Sequence, residues 1–140
     1  MIYRATGPAL VNAIINHPDI RGDFEQGEGR IDSEEVVSNP DNIVLAFETG
    51  VAVFIGKGRG VYEGHIAILK AGRGKAGLAH CKEALDTLFS RYKAKVVVAS
   101  VPLQLRAARL LCRLLGFVSG GTDLEQEHFV LEEANHGRSN

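Results

Sequence analysis

Three groups of residues in this chain have types and spacings that suit chemistry. Glu63 and His65 stand two apart in a strand-forming run, so their side chains share one sheet face. An imidazole beside a carboxylate is equipped to accept a proton near neutrality; the competing reading is a polar strand face turned to water. The second group is Leu69-Lys70-Ala71-Gly72-Arg73-Gly74-Lys75-Ala76-Gly77-Leu78-Ala79, where a strand enters a glycine loop that opens a helix. The first turn of a helix leaves backbone N–H groups without partners, and their aligned dipoles favour an anion. Small residues let a phosphate approach the main chain, and Arg73 and Lys75 add positive charge. The stretch reads as a pyrophosphate cradle or, more plainly, as a basic surface turn. The third group is Arg106, Arg109 and Arg113, a stripe at i, i+3 and i+7. It suits a phosphate or nucleic-acid contact, or a solvated helix face.

Other glycine stretches fail their context. Gly50 to Lys57 has five residues between its glycines where a phosphate-binding P-loop needs four, and Gly58 stands where Ser or Thr would hold magnesium. Gly56-x-Gly58-x-Gly60 has the wrong spacing for a dinucleotide fingerprint, and no helix follows. No His-x-x-His, Cys-x-x-Cys or paired-carboxylate cluster is present, so no metal is expected. His80-Cys81 lacks partners at ligand spacing. The segment Asp19 to Glu35 carries Asp19, Asp23, Glu25, Glu28, Asp32, Glu34 and Glu35. Its field would attract a cationic amine, or it is simply a solvated loop.

These groups must be positioned by a single domain, expected over residues 1–133 with a flexible tail at 134–140, since 140 residues is one domain's worth. The formal net charge of -1 argues against a dedicated duplex-binding protein, so nucleic acid is not an expected partner. Two cysteines make no disulfide scaffold and point to a reducing, cytoplasmic setting. No apolar run approaches the roughly 20 residues of a membrane span.

Along the chain, Ile2–Ala5 reads as a strand, and Pro8 opens a helix that Pro18 ends. Asp32 to Glu35 caps a short helix ending near Val37. Ile43–Glu48, Val51–Ile55 and Val61–Leu69 form an antiparallel meander. A helix is expected from Ala76 to about Tyr92, with Leu78, Cys81, Leu85, Leu88 and Tyr92 on one face. Lys95–Ser100 is a near-continuous apolar strand, the pattern of a strand covered on both faces. A second helix spans Leu103–Leu115 and stops at Gly116. Phe117–Ser119 and His128–Leu131 are strands joined at Gly120-Gly121. The class is mixed α/β (α+β): a central sheet with an antiparallel meander, a βαβ crossover and helices on both faces.

The run from Gly60 to Gly121 resembles the GNAT superfamily of N-acetyltransferases: a strand, a basic glycine loop opening a helix, a strand, then a helix ending in Gly-Phe. Val61-Tyr62-Glu63-Gly64-His65, Val101-Pro102 and Arg106-Ala107-Ala108 look like small phage-encoded members, some of which are virion components. The resemblance implies the acyl-CoA N-acyltransferase fold, with acetyl-coenzyme A as co-substrate. The strand bearing Ile66, Ala67, Ile68 and Leu69 would splay from Lys95–Ser100 and pair with the pantetheine arm. Arg73, Gly74, Lys75, Ala76 and Gly77 would hold the pyrophosphate. His65 or Glu63 would be the base toward a small-molecule or protein amine, which approaches from the side of the acidic loop. Cys112 stands where the family often has a tyrosine that returns a proton to the thiolate; an inert buried helix cysteine is the other reading. The resemblance also leaves open a non-catalytic phage structural or host-interaction protein, located in the host cytoplasm or the virion. A homodimer or a phage assembly partner belongs with these expectations.

Overall fold

The computed structural model describes residues 2–21 and 31–136. Among them a seven-stranded sheet runs in the order β1-β2-β3-β4-β5-β7-β6. The strands are β1 (Tyr3–Arg4), β2 (Ile43–Phe47), β3 (Gly50–Gly58), β4 (Val61–Ile68), β5 (Val96–Pro102), β6 (Val118–Thr122) and β7 (Gln126–Glu132). Every pairing is antiparallel except β4 with β5. That one parallel contact needs a crossover, and α4 (Lys75–Arg91) supplies it.

The helices divide between the two faces, as the apolar periodicity requires. On one face α1 (Ala9–Ile15), α2 (Pro18–Arg21) and α3 (Glu34–Ser38) lay Val11, Ile14, Ile20 and Val37 over Val44, Ala46, Val51 and Ala67. On the other, α4 sets Ala84, Leu85, Leu88 and Phe89 on Leu45, Ala52, Phe54 and Val97. There α5 (Arg106–Leu114) buries Cys112 against Val101 and Phe129. Leu88, Ala94 and Val97 are completely buried, so the crossover is locked onto the sheet beneath it.

Several boundaries differ from the sequence reading. Pro18 ends α1 but also opens α2, a position where its missing N–H costs nothing. Ser33 does stand before α3, but its hydroxyl donates to Asn12 Oδ1 and caps no helical amide. β5 runs on to Pro102, and α5 begins at Arg106 and not Leu103. Gly120-Gly121 is not the turn. β6 continues through it with a bulge, Gly121 at φ 118°, and the chain reverses at Asp123–Glu125. The expected tail from Ala134 is docked as far as His136, whose ring stacks on Phe89 at 4.9 Å. Residues 137–140 and the acidic positions Asp23, Glu25 and Glu28 lie outside the described residues.

Candidate functional site

β4 and β5 stay together for three positions only: Val61 with Val96, Tyr62 with Val97, and Glu63 with Val98. Beyond that rung each keeps its other neighbour, β4 holding β3 as far as Ile68 and β5 holding β7 as far as Pro102. A wedge therefore opens between Gly64–Ile68 and Ala99–Pro102. Gly64 sits at its apex, where a Cβ would lie 3.3 Å from Val97 Cγ1. The Leu69 amide donates to Thr49 on the β3 side. By strand alternation the main-chain groups of Ala67 face β3, and those of Ile66 and Ile68 face the wedge.

The glycine loop stands at the mouth of that wedge. Lys70–Gly72 form one 3₁₀ turn, Gly74 follows at φ 92°, and α4 starts at Lys75. Only the Leu78 amide reaches back, to Gly74 O at 3.0 Å. The amides of Lys75, Ala76 and Gly77 are first-turn donors, and no side chain caps them. Gly77 is tightly enclosed: a Cβ there would meet Gly72 O at 2.7 Å. Gly74 opens onto clear space.

On the α1–α3 face of β4, His65 Nε2 lies 2.8 Å from Glu63 Oε1, and Lys57 Nζ lies 3.2 Å from Glu63 Oε2. Partial burial raises the Glu63 carboxyl, but the hydrogen bonds from Lys57 and His65 outweigh it and hold it below its ordinary value. An ionised Glu63 only accepts, so His65 donates through Nε2 and keeps the Nδ1 lone pair. Of the two, His65 has the ring nitrogen left without a partner in the pair, and Glu63 holds the ring.

No model of a known protein family matches the chain, and no curated protein matches it in sequence. Solved structures do match it in shape. Spermidine N-acetyltransferase from Vibrio cholerae, in complex with CoA and spermine, superposes with a TM-score of 0.75 over 96% of this chain and 96% of that one, at 14% identity. The N-acetyltransferase PseH of Campylobacter jejuni, in complex with acetyl coenzyme A, gives a TM-score of 0.60 over 71% of this chain and 73% of that one, at 15% identity. The chain has the N-acetyltransferase fold.

Within that fold, not every residue singled out from sequence stands free. Arg73 bends back: its Nε donates to Ile68 O at 2.9 Å and its Nη2 to Asp19 O at 3.1 Å. Asp19 in turn accepts the Lys70 amide at 2.9 Å, which holds its carboxyl below the usual range. Arg73 thus braces the loop against α2 and occupies one main-chain acceptor of the wedge. Lys75 stays exposed beside the uncapped amides.

Cys112 is buried under α5, packed with Val101 and Phe129 of the sheet and with Ala108 and Phe117. Burial pushes its thiol up to about 11, with Arg113 opposing, and burial pushes Cys81 up to about 12. Both thiols therefore resist an Ellman-type reagent in the folded protein at pH 8 and react at once in denaturant. Fast reaction of Cys112 without denaturant would contradict this packing.

The arginine stripe is also committed. Arg109 Nε and Arg113 Nη2 bind the buried Glu127 at 2.9 and 2.6 Å, and only Arg106 of the three is outside this network. Among the described residues no group of three or more His, Cys, Asp and Glu side chains stands together as a metal site. No described helix is long and apolar enough to cross a membrane.

Proposed function

We propose that this protein is an acyl-coenzyme A-dependent N-acyltransferase that moves an acetyl group from acetyl-coenzyme A to an amine by direct attack. The observation that carries the reading is the wedge between β4 and β5 opening beside the uncapped first turn of α4. The amides of Gly74, Lys75, Ala76 and Gly77 suit a pyrophosphate, with the Lys75 ammonium adding charge. Ile66 and the Ile68 amide offer main-chain partners to an extended arm, while Ala67 and the Leu69 amide turn to β3 and the Leu69 carbonyl accepts the Gly72 amide. Arg73 shapes this cradle as a brace. The bound thioester supplies an activated acyl carbon. His65 takes a proton from the amine nitrogen through Nδ1, and Glu63 holds the ring. The scheme gives Cys112 no step, because its thiol is buried in the packing between α5 and the sheet.

One observation favours the second reading, a non-catalytic phage assembly or host-interaction protein on the same fold: Arg73 already satisfies Ile68 O inside the wedge. Thiol release from acetyl-coenzyme A separates the two. The assay runs over a panel of spermidine, spermine, free lysine and a peptide with an open N-terminus. The enzyme reading expects turnover of a panel amine and a kcat about 100-fold lower in His65→Ala. An unchanged rate in that variant would dismiss His65 as base. Silence across the panel favours the assembly protein.

A further inference from the structure

Across the wedge from His65, on the same face of the sheet, lies a set of side chains that the sequence does not bring together. Ser100 on β5 pairs with His128 on β7, and Ser100 Oγ stands 2.8 Å from His128 Nδ1. His128 Nε2 stands 2.8 Å from Asp123 Oδ2. The turn between β6 and β7 fixes that carboxylate, since Asp123 Oδ1 accepts the amides of Glu125 at 2.8 Å and Gln126 at 2.7 Å. These bonds fix the direction of every hydrogen. Asp123 is ionised, held at about 2 by the Glu125 amide first and His128 next. It only accepts, so His128 donates from Nε2. In the neutral ring Nδ1 is then a lone pair, and Ser100 donates to it. The Ser100 oxygen is left with its own lone pairs directed at an open face, which no described helix covers.

The location matters as much as the order. Val98 is the last β5 residue to pair with β4, and Ser100 is the next residue on the same face. Ser100 and His65 are thus the first side chains on the two banks past the point of divergence. An amine that arrives as an ammonium must lose two protons to become an amide. One leaves before attack, and one leaves as the carbon–nitrogen bond forms and the carbon–sulfur bond breaks.

We infer that Ser100, His128 and Asp123 form a relay that receives the cationic acceptor and takes its first proton. This rests on the acyltransferase reading. The ammonium donates an N–H to Ser100 Oγ. That proton moves to Ser100 as the Ser100 proton moves to His128 Nδ1, and Asp123 balances the imidazolium. The neutral amine then attacks the thioester. The second proton goes to His65, and the thiolate leaves as thiol by taking that proton from the His65 imidazolium. The sum is one ammonium and one thioester giving one amide, one thiol and one proton released to water from His128. The charged and titratable groups sharing this face with His128 are Asp123 and Glu132 on its own hairpin and His65 with Glu63 and Lys57 across the wedge; its neighbours on β5 and β6 contribute none but Ser100.

The test is the pH profile of kcat/KM for the acceptor in full-length Ser100→Ala, His128→Asn and Ser100→Thr, with acetyl-coenzyme A saturating. The first two variants lose about 100-fold near neutrality. They recover as the pH passes the acceptor's own ammonium pKa, because the relay is not needed once the amine arrives neutral. Ser100→Thr keeps the hydroxyl and retains most of the activity. KM for acetyl-coenzyme A is unchanged in all three. Nitrogen-detected NMR of the wild-type imidazoles shows His128 as the Nε2–H form, and Asp123→Asn loses it. Wild-type turnover with Ser100→Ala indistinguishable at every pH overturns the relay and leaves the acyltransferase reading standing. A loss that does not recover at high pH, or an Nδ1–H tautomer for His128, overturns the relay too. Absence of wild-type turnover overturns both.

Discussion

Gly77→Ala destabilises the protein by about 1–2 kcal/mol and removes its response to acetyl-coenzyme A, although the same exchange inside a helix ordinarily stabilises by about 0.5–1 kcal/mol. The sign reverses because of what surrounds Gly77. A Cβ would stand 2.7 Å from Gly72 O and 3.3 Å from Ile68 Cδ1. The first neighbour is backbone and does not rotate away. Relief requires the first turn of α4 to lift off the 3₁₀ turn and the end of β4, and that is the junction where the amides and the wedge meet. Stability and coenzyme response therefore fall together. Gly74→Ala provides the contrast. Its Cβ meets nothing, but at φ 92° an L side chain is strained, so it loses about 1–3 kcal/mol without a collision. Urea unfolding with and without acetyl-coenzyme A measures both. A Gly77→Ala protein as stable as wild type and still stabilised by acetyl-coenzyme A would show that the contact does not constrain the mouth.

Glu127→Ala lowers the melting midpoint further than removal of any exposed carboxylate, such as Glu35→Ala. Glu127 is buried with Ser119 Oγ at 2.6 Å, Arg109 Nε at 2.9 Å and Arg113 Nη2 at 2.6 Å. Truncation leaves two guanidinium groups without their carboxylate beneath α5, the costly way to break such a network. The Ser119 hydroxyl, with Arg109 and Arg113, holds the Glu127 carboxyl down at about 2 from its ordinary 4.5, against the desolvation that would raise it. The folded value is depressed, so this contribution is complete above about pH 4.5 and drains away as pH falls toward 2. Wild type and Glu127→Ala should therefore differ most at neutral pH and converge in acid. Denaturant unfolding across that range checks it; a difference that grows in acid would contradict the network.

Much of the candidate site is legible in the residues because its parts are local. The order strand, glycine loop, helix is written contiguously from Leu69 to Ala79, and helix spacing from Cys81 to Leu88 places α4 on the sheet. Glu63 and His65 share a face by simple alternation. The rest depends on pairing across distance. Arg73 reads as a free cation, but its partners are Ile68 and Asp19, and only the fold brings α2 against the loop. Gly120-Gly121 reads as a turn because paired glycines usually are one. Here the bulge takes the positive φ and Asp123 makes the turn with its side chain. The Ser100, His128 and Asp123 set was invisible for the same reason: it exists only once β7 lies beside β5 in register. Cys112 falls in the helix its sequence predicts, and burial decides its chemistry.

In the proposed enzyme the mouth of α4 and the wedge beside it hold acetyl-coenzyme A. A thermal melt of the full-length protein against rising acetyl-coenzyme A tests this most directly, since a ligand at a hundredfold its Kd adds about 2.7 kcal/mol to the native state. The midpoint is expected to climb with concentration in wild type and to stay flat in Gly77→Ala. A wild-type midpoint that does not move at millimolar acetyl-coenzyme A would contradict it.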